Sequence, residues 1–370
     1  MDIVSNILAR SPEPSEHDKV IDFLNKNLRL NITWTIKKEY PIALSSHNLH
    51  NLSIITDKTE SKILSHALLK PFVCKTAQAI FKIGAIGSVV TEPESRHQGL
   101  SKKNILNCIK KSQDQDCDLV ILWSDQHDFY KKFGFELAGF EYSYLISQAL
   151  PVVNKNHKFL KSNKIDSQAI LKLYNQHTVN SLRTVDEIQH YLNIPNSNIF
   201  TLWNLQNQIV AYAVEGKGVD LQTYIHEWGG SVPDIMDLLS HMIQTEKIAY
   251  TFICPDHSLN IRSKLETICD VSNTGFLGLI KINDFEKFSL KIKKMFLAEG
   301  INEITIEKKD DQIIFGYKSD LYTIKNETDF IRLVFGPQKF RDLGFVSEST
   351  TVVFEKIFPL PLWVWGWDSV

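Results

Sequence analysis

The chain has 370 residues, 43% of them hydrophobic, and is too long to fold around one ordinary core. Its 41 basic and 43 acidic residues nearly cancel, which argues against binding to nucleic acid or to an anionic membrane surface. We therefore expect two or three domains and a small molecule or a protein as the partner.

Targeting, redox and metal signals are weak throughout. The N-terminal segment has no basic start followed by an apolar core, and no run of about 18 apolar residues occurs, so we expect a cytoplasmic protein without a membrane partner. The five cysteines form no C-x-x-C pair, which favours reduced, buried thiols. The twelve histidines show no metal-ligand spacing, and we predict no metal.

The first section of the chain begins with an amphipathic helix, predicted over residues 15–30 from apolar side chains at helical spacing. Strand-like runs follow at 51–57, 63–73 and 79–91, separated by charged or polar turns. This order predicts a sheet that is covered by at least one helix.

A second helix, over residues 104–111, precedes a fully buried strand at 117–124. The apolar face of this helix holds Ile105, Leu106, Cys108 and Ile109. A helix between two buried strands indicates a βαβ unit with parallel strands. The turn between the first strand and the helix lies where open α/β sheets bind their ligands.

That turn reads S-R-H-Q-G-L-S, from Ser95 to Ser101. The first N–H groups of a helix have no partner within it, and the helix dipole adds partial positive charge, so such a turn can hold phosphate. Gly99 would allow close approach of the backbone, and Arg96 can add a charged fork. The turn fits a diphosphate, and it also fits an ordinary helix cap.

A second motif, D-Q-H-D-F-Y-K-K-F-G-F, follows the buried strand at residues 125–135. The two motifs together resemble the GNAT superfamily of N-acetyltransferases. In that family the glycine turn cradles the pyrophosphate of acetyl-CoA, and the preceding strand hydrogen-bonds the pantetheine arm. The resemblance implies the cofactor-binding residues Val89, Val90, Thr91, Arg96, His97, Gln98, Gly99, Leu100 and Ser101. Ser101 departs mildly from the small apolar residue of the family pattern.

Tyr130 falls on the family's tyrosine near the thioester sulfur, which implies a general acid for the departing thiolate. Acyl transfer to an amine needs such a group, because the leaving thiolate takes up a proton. The alternative is a purely aromatic core residue beside Phe129 and Phe133. His127 and Asp128 are candidates for a general base that the two side chains would form together. They are adjacent on a predicted loop, however, which disfavours a catalytic role.

The second section, residues 149–275, repeats the same order of elements. Helices are predicted at 166–177, 184–193 and 232–244, and strands at 198–204, 208–216 and 221–230. Where the phosphate turn would lie, the sequence G-G-S-V-P-D-I-M has no Arg or Gln, although Gly229 and Gly230 could cap a helix. We predict a degenerate GNAT-like copy that does not bind CoA.

The third section, residues 276–370, predicts a small α+β module. A helix over 283–300 begins at Asn283 or Asp284, a hairpin follows at 304–317, and a helix over 327–337 ends at Gly336 and Pro337.

The order of the three sections resembles the enhanced-intracellular-survival family of bacterial acetyltransferases. It implies an α/β and α+β fold: a GNAT domain at 1–148, a degenerate copy at 149–275 and a sterol-carrier-protein-like domain at 276–370. The name of the last domain is no evidence for sterol binding.

The last residues alternate Trp363, Trp365 and Trp367 with Val364 and Gly366, which predicts a strand with three rings on one face. The family resemblance implies that the C-terminal carboxylate of Val370 reaches the active site and helps to deprotonate the amine, assisted by Asp368. The alternative is a tail that docks only for stability.

These observations predict an acetyl-CoA-dependent N-acetyltransferase acting on a primary amine of a small molecule or on a lysine side chain. A non-catalytic acyl-CoA sensor or interaction protein would keep the phosphate turn and transfer nothing. A transferase that uses aminoacyl-tRNA would need a basic surface, which the net charge of -2 disfavours. The sequence leaves open whether the chain forms a homo-oligomer.

Overall fold

The computed structural model describes residues 8–148, 152, 154, 156–269 and 271–370. Two seven-stranded sheets and one three-stranded sheet carry the helices of this part of the chain, which confirms the predicted mixed α/β fold class. Within the same residues, no helix is both long enough and apolar enough to cross a membrane.

The helices and strands are labelled in chain order. The strands are β1 (Leu52–Thr56), β2 (Ile63–Lys75), β3 (Ile80–Thr91), β4 (Leu119–Leu122), β5 (Glu136–Ala138), β6 (Glu141–Ile146), β7 (Lys158–Lys161), β8 (Asn180–Ser181), β9 (Asn198–Trp203), β10 (Ile209–Lys217), β11 (Asp220–Gly230), β12 (Tyr250–Pro255), β13 (Ser272–Gly275), β14 (Gly278–Ile282), β15 (Ile304–Lys309), β16 (Gln312–Tyr317) and β17 (Asp320–Ile324). The α-helices are α1 (His17–Leu28), α2 (Ile36–Glu39), α3 (Leu100–Asp114), α4 (His127–Lys131), α5 (Ser167–Tyr174), α6 (Val185–Tyr191), α7 (Val232–Glu246), α8 (Leu259–Glu266), α9 (Phe285–Ala298), α10 (Glu327–Phe335) and α11 (Glu348–Phe354).

The first sheet has the order β1-β2-β3-β4-β14-β5, with β8 beside β2. Strands β3 and β4 are parallel and α3 connects them, which confirms the predicted βαβ unit. Ile105, Cys108 and Ile109 of α3 are buried, but Leu106 is 47% exposed. The prediction of the apolar face was therefore wrong at Leu106. Successive residues of a helix are about 100° apart around its axis, so Leu106 points away from the sheet when its neighbour Ile105 points toward it.

The second sheet has the order β13-β6-β12-β11-β10-β9-β7. Strands β9, β10 and β11 are antiparallel, and α7 connects β11 to the parallel strand β12. Three antiparallel strands, a helix and a parallel strand therefore occur in both sheets, as the repeated order of elements predicts.

Each of the two large sheets contains one strand from a different predicted section of the chain. Strand β6 precedes residue 148 but lies in the second sheet, between β12 and β13. Strand β14 follows residue 275 but lies in the first sheet, between β4 and β5. The boundaries at 148/149 and 275/276 do not coincide with the edges of the sheets, and they stay predictions.

The third sheet, β15-β16-β17, is antiparallel and packs with α9, α10 and α11. Helix α9 begins after Asp284, whose carboxylate accepts a hydrogen bond from the Lys287 N–H, and ends before Gly300, whose φ is +73°. The core between these elements is aromatic, with ring centroids 4.8–6.0 Å apart. Its rings are Phe296, Phe315, Phe340, Phe354 and Phe358.

The C-terminal tail, residues 359–370, forms no β-strand, so the strand prediction was wrong. Its indole rings lie in different aromatic clusters: Trp367 stacks with Tyr191 at 5.6 Å, whereas Trp365 contacts His177 at 4.1 Å. The prolines at 359 and 361 also lack the backbone N–H groups that a strand needs for its hydrogen bonds. The tail ends in a short 3-10 turn, Gly366–Asp368, before the terminal Ser369 and Val370.

Candidate active site

Strands β3 and β4 diverge at the carboxyl end of the first sheet. They pair only from Ile83 to Ala85, although β3 continues to Thr91. The backbone from Ile86 to Thr91 therefore has one edge that β4 does not cover. An uncovered strand edge can pair with the amides of an extended ligand.

A bulge in β3 lies within this diverging segment. Ser88 has a φ of +48°, and the register between β2 and β3 shifts between His66 and Leu68. The Nδ1 atom of His66 lies 2.9 Å from the Ser88 carbonyl oxygen. Burial lowers the pKa of His66 to about 4, so its ring is neutral and donates from Nδ1 to that carbonyl. His66 thus supports the bulge, which the sequence pattern did not indicate.

The glycine turn leads from the end of β3 into α3. His97 and Gly99 have left-handed backbone conformations, with φ of +62° and +74°, and Gly99 is the residue before the first turn of α3. An added Cβ at Gly99 would meet no protein atom within 4 Å, so the positive φ is what calls for glycine here. The first N–H groups of this 15-residue helix have no partner within the helix.

A chain of hydroxyl groups fixes this turn to the sheet. The Thr91 hydroxyl lies 2.7 Å from that of Ser101 and 2.8 Å from that of Ser65. The Asn104 amide of α3 donates to Ser65 at 2.9 Å. Ser101, which departs from the family pattern, therefore has a partner on β3, and its hydroxyl helps to hold the helix start against that strand.

Tyr130 lies on the short helix α4, opposite the uncovered edge of β3, and is 6% exposed. Its ring packs edge-on against Phe129 and Phe135, at centroid distances of 5.1 and 6.1 Å. Burial raises the pKa of Tyr130, partly offset by the side chain of Ser124, so the phenol keeps its proton at neutral pH. The residue has both predicted environments, since its ring lies in the aromatic core and it also lines a cavity.

The chain ends at the same place. A Cβ built on Gly87 would lie 2.5 Å from the carboxyl carbon of Val370 and 2.7 Å from a carboxyl oxygen. The terminal carboxyl group therefore lies directly against the backbone of β3, one residue before the bulge at Ser88.

These features surround one cavity of about 720 Å³. Among the residues expected at the site, all except Gln98 and Asp368 line it: Val89, Val90, Thr91, Arg96, His97, Gly99, Leu100, Ser101, Tyr130 and Val370. Gln98 is exposed in the same turn. His127 and Asp128 belong to α4 rather than to a loop, and neither lines the cavity.

The charges of the cavity are unevenly distributed. Arg96 and Lys102 lie at the end formed by the turn, beside the start of α3. No Asp or Glu side chain lines the cavity among the residues that the structure describes. The carboxylate of Val370 is therefore the anionic group of this lining, at the end of the cavity that faces Gly87.

Asp368, which the sequence suggested as an assistant to Val370, does not lie in the cavity. It is 2% exposed and forms ion pairs with Arg183 at 2.7 Å and Lys70 at 3.2 Å. Burial alone would raise the pKa of Asp368, but Arg183 and Lys70 hold it below its usual range. Asp368 therefore makes no direct contact with a molecule in the cavity, and its assistance to Val370 stays a prediction.

The corresponding place in the second sheet differs. Strands β11 and β12 pair only at Tyr224 and Ile225, and they diverge as β3 and β4 do. The Trp228 indole N–H donates to the Ile253 carbonyl at 3.1 Å and so bridges the gap. Ser231, rather than a glycine, caps α7 by accepting from the Asp234 N–H. Trp228 is the residue that sequence reasoning missed here.

Sequence and structure comparisons agree with this geometry. Residues 9–138 match the family model of the acetyltransferase (GNAT) domain. No curated protein matches the chain by sequence. Proteins with GNAT domains use acetyl-CoA as a co-substrate and act on amines.

Several crystal structures share the fold over nearly the whole chain. A probable N-acyltransferase from Enterococcus faecalis is 13% identical, with 97% of both chains covered and a TM-score of 0.67. A GCN5-related N-acetyltransferase from Anabaena variabilis is 12% identical, with 99% of this chain and 100% of that chain covered and a TM-score of 0.68. Eis1 from Mycobacterium abscessus is 8% identical, with 98% of both chains covered and a TM-score of 0.61.

Likeness at such low identity concerns the fold, and it fits the predicted tandem arrangement of GNAT-like domains. The activity class depends on the family match of the first domain. Together with the cavity, these findings confirm the predicted class of enzyme, an acetyltransferase, with its GNAT domain at residues 9–138.

Proposed function

We propose that the chain transfers the acetyl group of acetyl-CoA directly to a primary amine of a small molecule or of a lysine side chain. One observation carries the proposal: a single cavity contains the glycine turn, the uncovered edge of β3, the Tyr130 phenol and the terminal carboxylate of Val370. A phosphate site, a site for an extended arm, an acid and a base are the parts that this reaction needs.

The cofactor lies along β3 in this proposal. Its pyrophosphate binds at the turn from Arg96 to Ser101, including His97, Gln98, Gly99 and Leu100, where the N–H groups of α3 and its dipole favour negative charge. Its pantetheine arm hydrogen-bonds the edge of β3 at Val89, Val90 and Thr91, which β4 leaves uncovered. The thioester then comes to lie beside Tyr130.

Tyr130 is the proposed general acid. The amine nitrogen attacks the thioester carbonyl carbon, a C–N bond forms, and the C–S bond breaks. The departing thiolate takes its proton from the Tyr130 phenol, whose raised pKa keeps that proton available until the sulfur becomes basic. Exchange with solvent then restores the phenol.

The terminal carboxylate of Val370 is the proposed base. An amine is protonated at neutral pH and must lose a proton to attack or as it attacks. Val370 supplies the negative charge of the lining, which also attracts a cationic acceptor toward Gly87. The amine thus approaches the end of the cavity that Val370 lines.

We also propose the domain boundaries 148/149 and 275/276 and a sterol-carrier-protein-like module at residues 276–370. The antiparallel sheet β15-β16-β17 with α9, α10 and α11 supports this module. No ligand is assigned to it, because a fold does not determine a function.

The test measures thiol release from acetyl-CoA with three acceptors: kanamycin, spermidine and Nα-acetyl-lysine methylamide. We expect at least one to be acetylated. A Gly99→Val variant should lose acetyl-CoA binding in calorimetry, because the side chain strains the turn and occupies the phosphate site. Gly300→Val is the matched control, since Gly300 has nearly the same φ, +73°, and open space around it, but lies after α9.

Two results would overturn the proposal. Equal acetyl-CoA binding by wild type and Gly99→Val would place the cofactor elsewhere. Binding without transfer to any of the three amines would favour the non-catalytic acyl-CoA sensor.

A further inference from the structure

The C-terminal tail is held by a cluster of buried charges outside the cavity, which we call the tail clamp. It consists of Lys70, Arg183, Lys217, Glu227 and Asp368, each at most 9% exposed. Its residues come from both large sheets and from the tail itself: Lys70 lies on β2, Lys217 on β10 and Glu227 on β11. The clamp therefore joins the two domains through the last residues of the chain.

One part of the clamp binds the side chain of Asp368. Its carboxylate accepts hydrogen bonds from Arg183 at 2.7 and 3.0 Å, from Lys70 at 3.2 Å and from the Ser181 hydroxyl. Arg183 in turn donates to Glu227, with Nη2 at 3.0 Å from Oε2. These contacts fix the 3-10 turn, Gly366–Asp368, between β2 and β11.

The other part of the clamp is Lys217, which has no ion pair within 4 Å among the described residues and binds main-chain oxygens instead. Its ammonium lies 2.6 Å from the Ser369 carbonyl oxygen and 2.9 Å from that of Gly366. The Ser369 hydroxyl is 3.1 Å and the Trp367 carbonyl oxygen is 3.4 Å away. The Tyr40 ring lies 4.8 Å from the same nitrogen.

The contact with the Ser369 carbonyl determines the position of Val370. That carbonyl belongs to the last peptide bond of the chain, and a peptide bond is planar. Once its oxygen is fixed, only the φ and ψ rotations of Val370 separate the clamp from the terminal carboxylate. Contact with the β3 backbone at Gly87 limits those rotations further.

The type of residue at position 217 fits this contact. A buried ammonium is costly to desolvate, and its removal alone would leave the main-chain oxygens of Gly366 and Ser369 without their donor. Burial lowers the pKa of Lys217 to about 7, as do the positive charges of Lys70 and Arg183, whereas Asp368 and Asp220 raise it. An ammonium is nevertheless well suited to bind several carbonyl oxygens of one turn at once.

We propose that Lys217 is a positioning residue of the acetyl transfer: by fixing the last peptide plane, its side-chain amino group holds the Val370 carboxylate in the cavity. The proposal rests on the proposed function of Val370 as the base. Lys217 touches neither the cavity nor the reacting atoms, so it acts only through the tail.

The kinetic test compares Lys217→Met, a chain that ends at Ser369, and the combination of both, with spermidine, kanamycin and Nα-acetyl-lysine methylamide. We expect each single change to lower kcat by about tenfold to hundredfold with little change in the KM for acetyl-CoA, because a misplaced base costs rate rather than cofactor affinity. The combined variant should be no slower than the shortened chain. If the two effects multiply instead, Lys217 acts independently of the carboxylate and the proposal is wrong.

The control is Lys161→Met, because Lys161 pairs with Glu246 at 2.7 Å on the surface of the second domain and is 38% exposed. It should retain the wild-type kcat. Near-ultraviolet circular dichroism and the melting temperature report whether each variant folds. Should Lys217→Met not fold, Lys217→Gln, which keeps donors but no charge, takes its place in the same comparison.

A second measurement does not depend on turnover. Carboxypeptidase Y is added to the folded chain, and the release of Val370 is followed by mass spectrometry. Lys217→Met should release Val370 about tenfold faster or more, because the end of the chain is no longer held. Equal release would overturn the positioning role even if no amine were acetylated. A slow shortened chain together with a fully active Lys217→Met would also overturn it, while leaving Val370 as the base.

Discussion

Gly87 of β3 lies in direct contact with the terminal carboxyl group of Val370, at a distance that leaves no room for a Cβ atom. A methyl group at residue 87 would lie 2.5 Å from the carboxyl carbon and 2.9 Å from Cγ2 of Val370. The two ends of this contact are far apart in sequence, and the clamp around Asp368 keeps them together. The contact makes the position of the carboxylate sensitive to one added methyl group.

Gly87→Ala should therefore lower kcat by about tenfold or more, because Val370 must move away from β3 and out of its working position. The conformation of Gly87 is not left-handed, so alanine introduces no backbone strain. Gly275→Ala is the control, since a Cβ at residue 275 would meet no atom within 4 Å. Steady-state kinetics and melting temperatures of both variants check this, and an unchanged kcat in Gly87→Ala would show that Val370 does not take part in catalysis.

Tyr130→Phe removes the proposed acid and leaves its ring in place. The contacts with Phe129 and Phe135 involve the ring alone, so the melting temperature should change little. We expect kcat to fall by about 10² to 10⁴ and acetyl-CoA binding to stay the same. The matched control is Tyr224→Phe, whose ring is 41% exposed on β11. Equal turnover of Tyr130→Phe and wild type would reduce Tyr130 to a core residue.

Asp368→Asn should lower the free energy of unfolding by about 3–5 kcal/mol, because it leaves the buried charges of Arg183 and Lys70 without their common partner. Asp220→Asn provides the contrast, since Asp220 pairs with Arg29 at 3.1 Å but has a side chain 48% exposed. Exposed pairs of this kind contribute about 0–1 kcal/mol. Urea unfolding of both variants measures the difference, and equal losses would show that the clamp contributes no more than a surface pair.

The pH dependence of stability should report the buried state of Lys217. Its folded pKa of about 7 lies below the ordinary value of 10.5. Between these pH values the folded chain has lost a proton that the unfolded chain still binds, so this group makes the free energy of unfolding rise with pH. Below about pH 7 Lys217 is charged in both the folded and the unfolded chain, and the increase in the free energy of unfolding is lost.

Lys217→Met removes this contribution. The free energy of unfolding of the variant should consequently rise less steeply between pH 7 and pH 10 than that of the wild type. Urea unfolding at several pH values measures both slopes, and Lys161→Met, with its half-exposed ammonium, should follow the wild type. Parallel slopes for Lys217→Met and the wild type would indicate that Lys217 stays charged in the folded state throughout this range.

Local patterns predicted the first domain well because its chemistry lies on one continuous unit. The turn around Gly99 and the motif around Tyr130 both follow buried strands, and the βαβ geometry brings the ends of such strands to one edge of the sheet. Helix caps such as Asp284 were also predicted, since a cap depends on its own turn.

Contacts between distant segments could not be predicted in this way. Nothing in the residues near Lys217 or Lys70 indicates that both bind the tail, because burial is decided only when the two sheets meet around it. The alternation of Trp363, Trp365 and Trp367 predicted a strand, yet Trp365 and Trp367 pack into separate aromatic clusters. The placement of β6 in the second sheet and of β14 in the first likewise depends on contacts between distant segments.

The second domain should bind no CoA, because Trp228 spans the gap between β11 and β12 and donates to the Ile253 carbonyl. Among the residues that the structure describes, no side chain bridges the same gap between β3 and β4, which opens into the 720 Å³ cavity. Isothermal titration with acetyl-CoA should therefore give one site per chain, and Gly99→Val should abolish it. A second site that persists in Gly99→Val would contradict the assignment. If that site disappeared in a variant with a phosphate-blocking change at the start of α7, such as Ser231→Trp, the second domain would be an active binding unit rather than a degenerate copy.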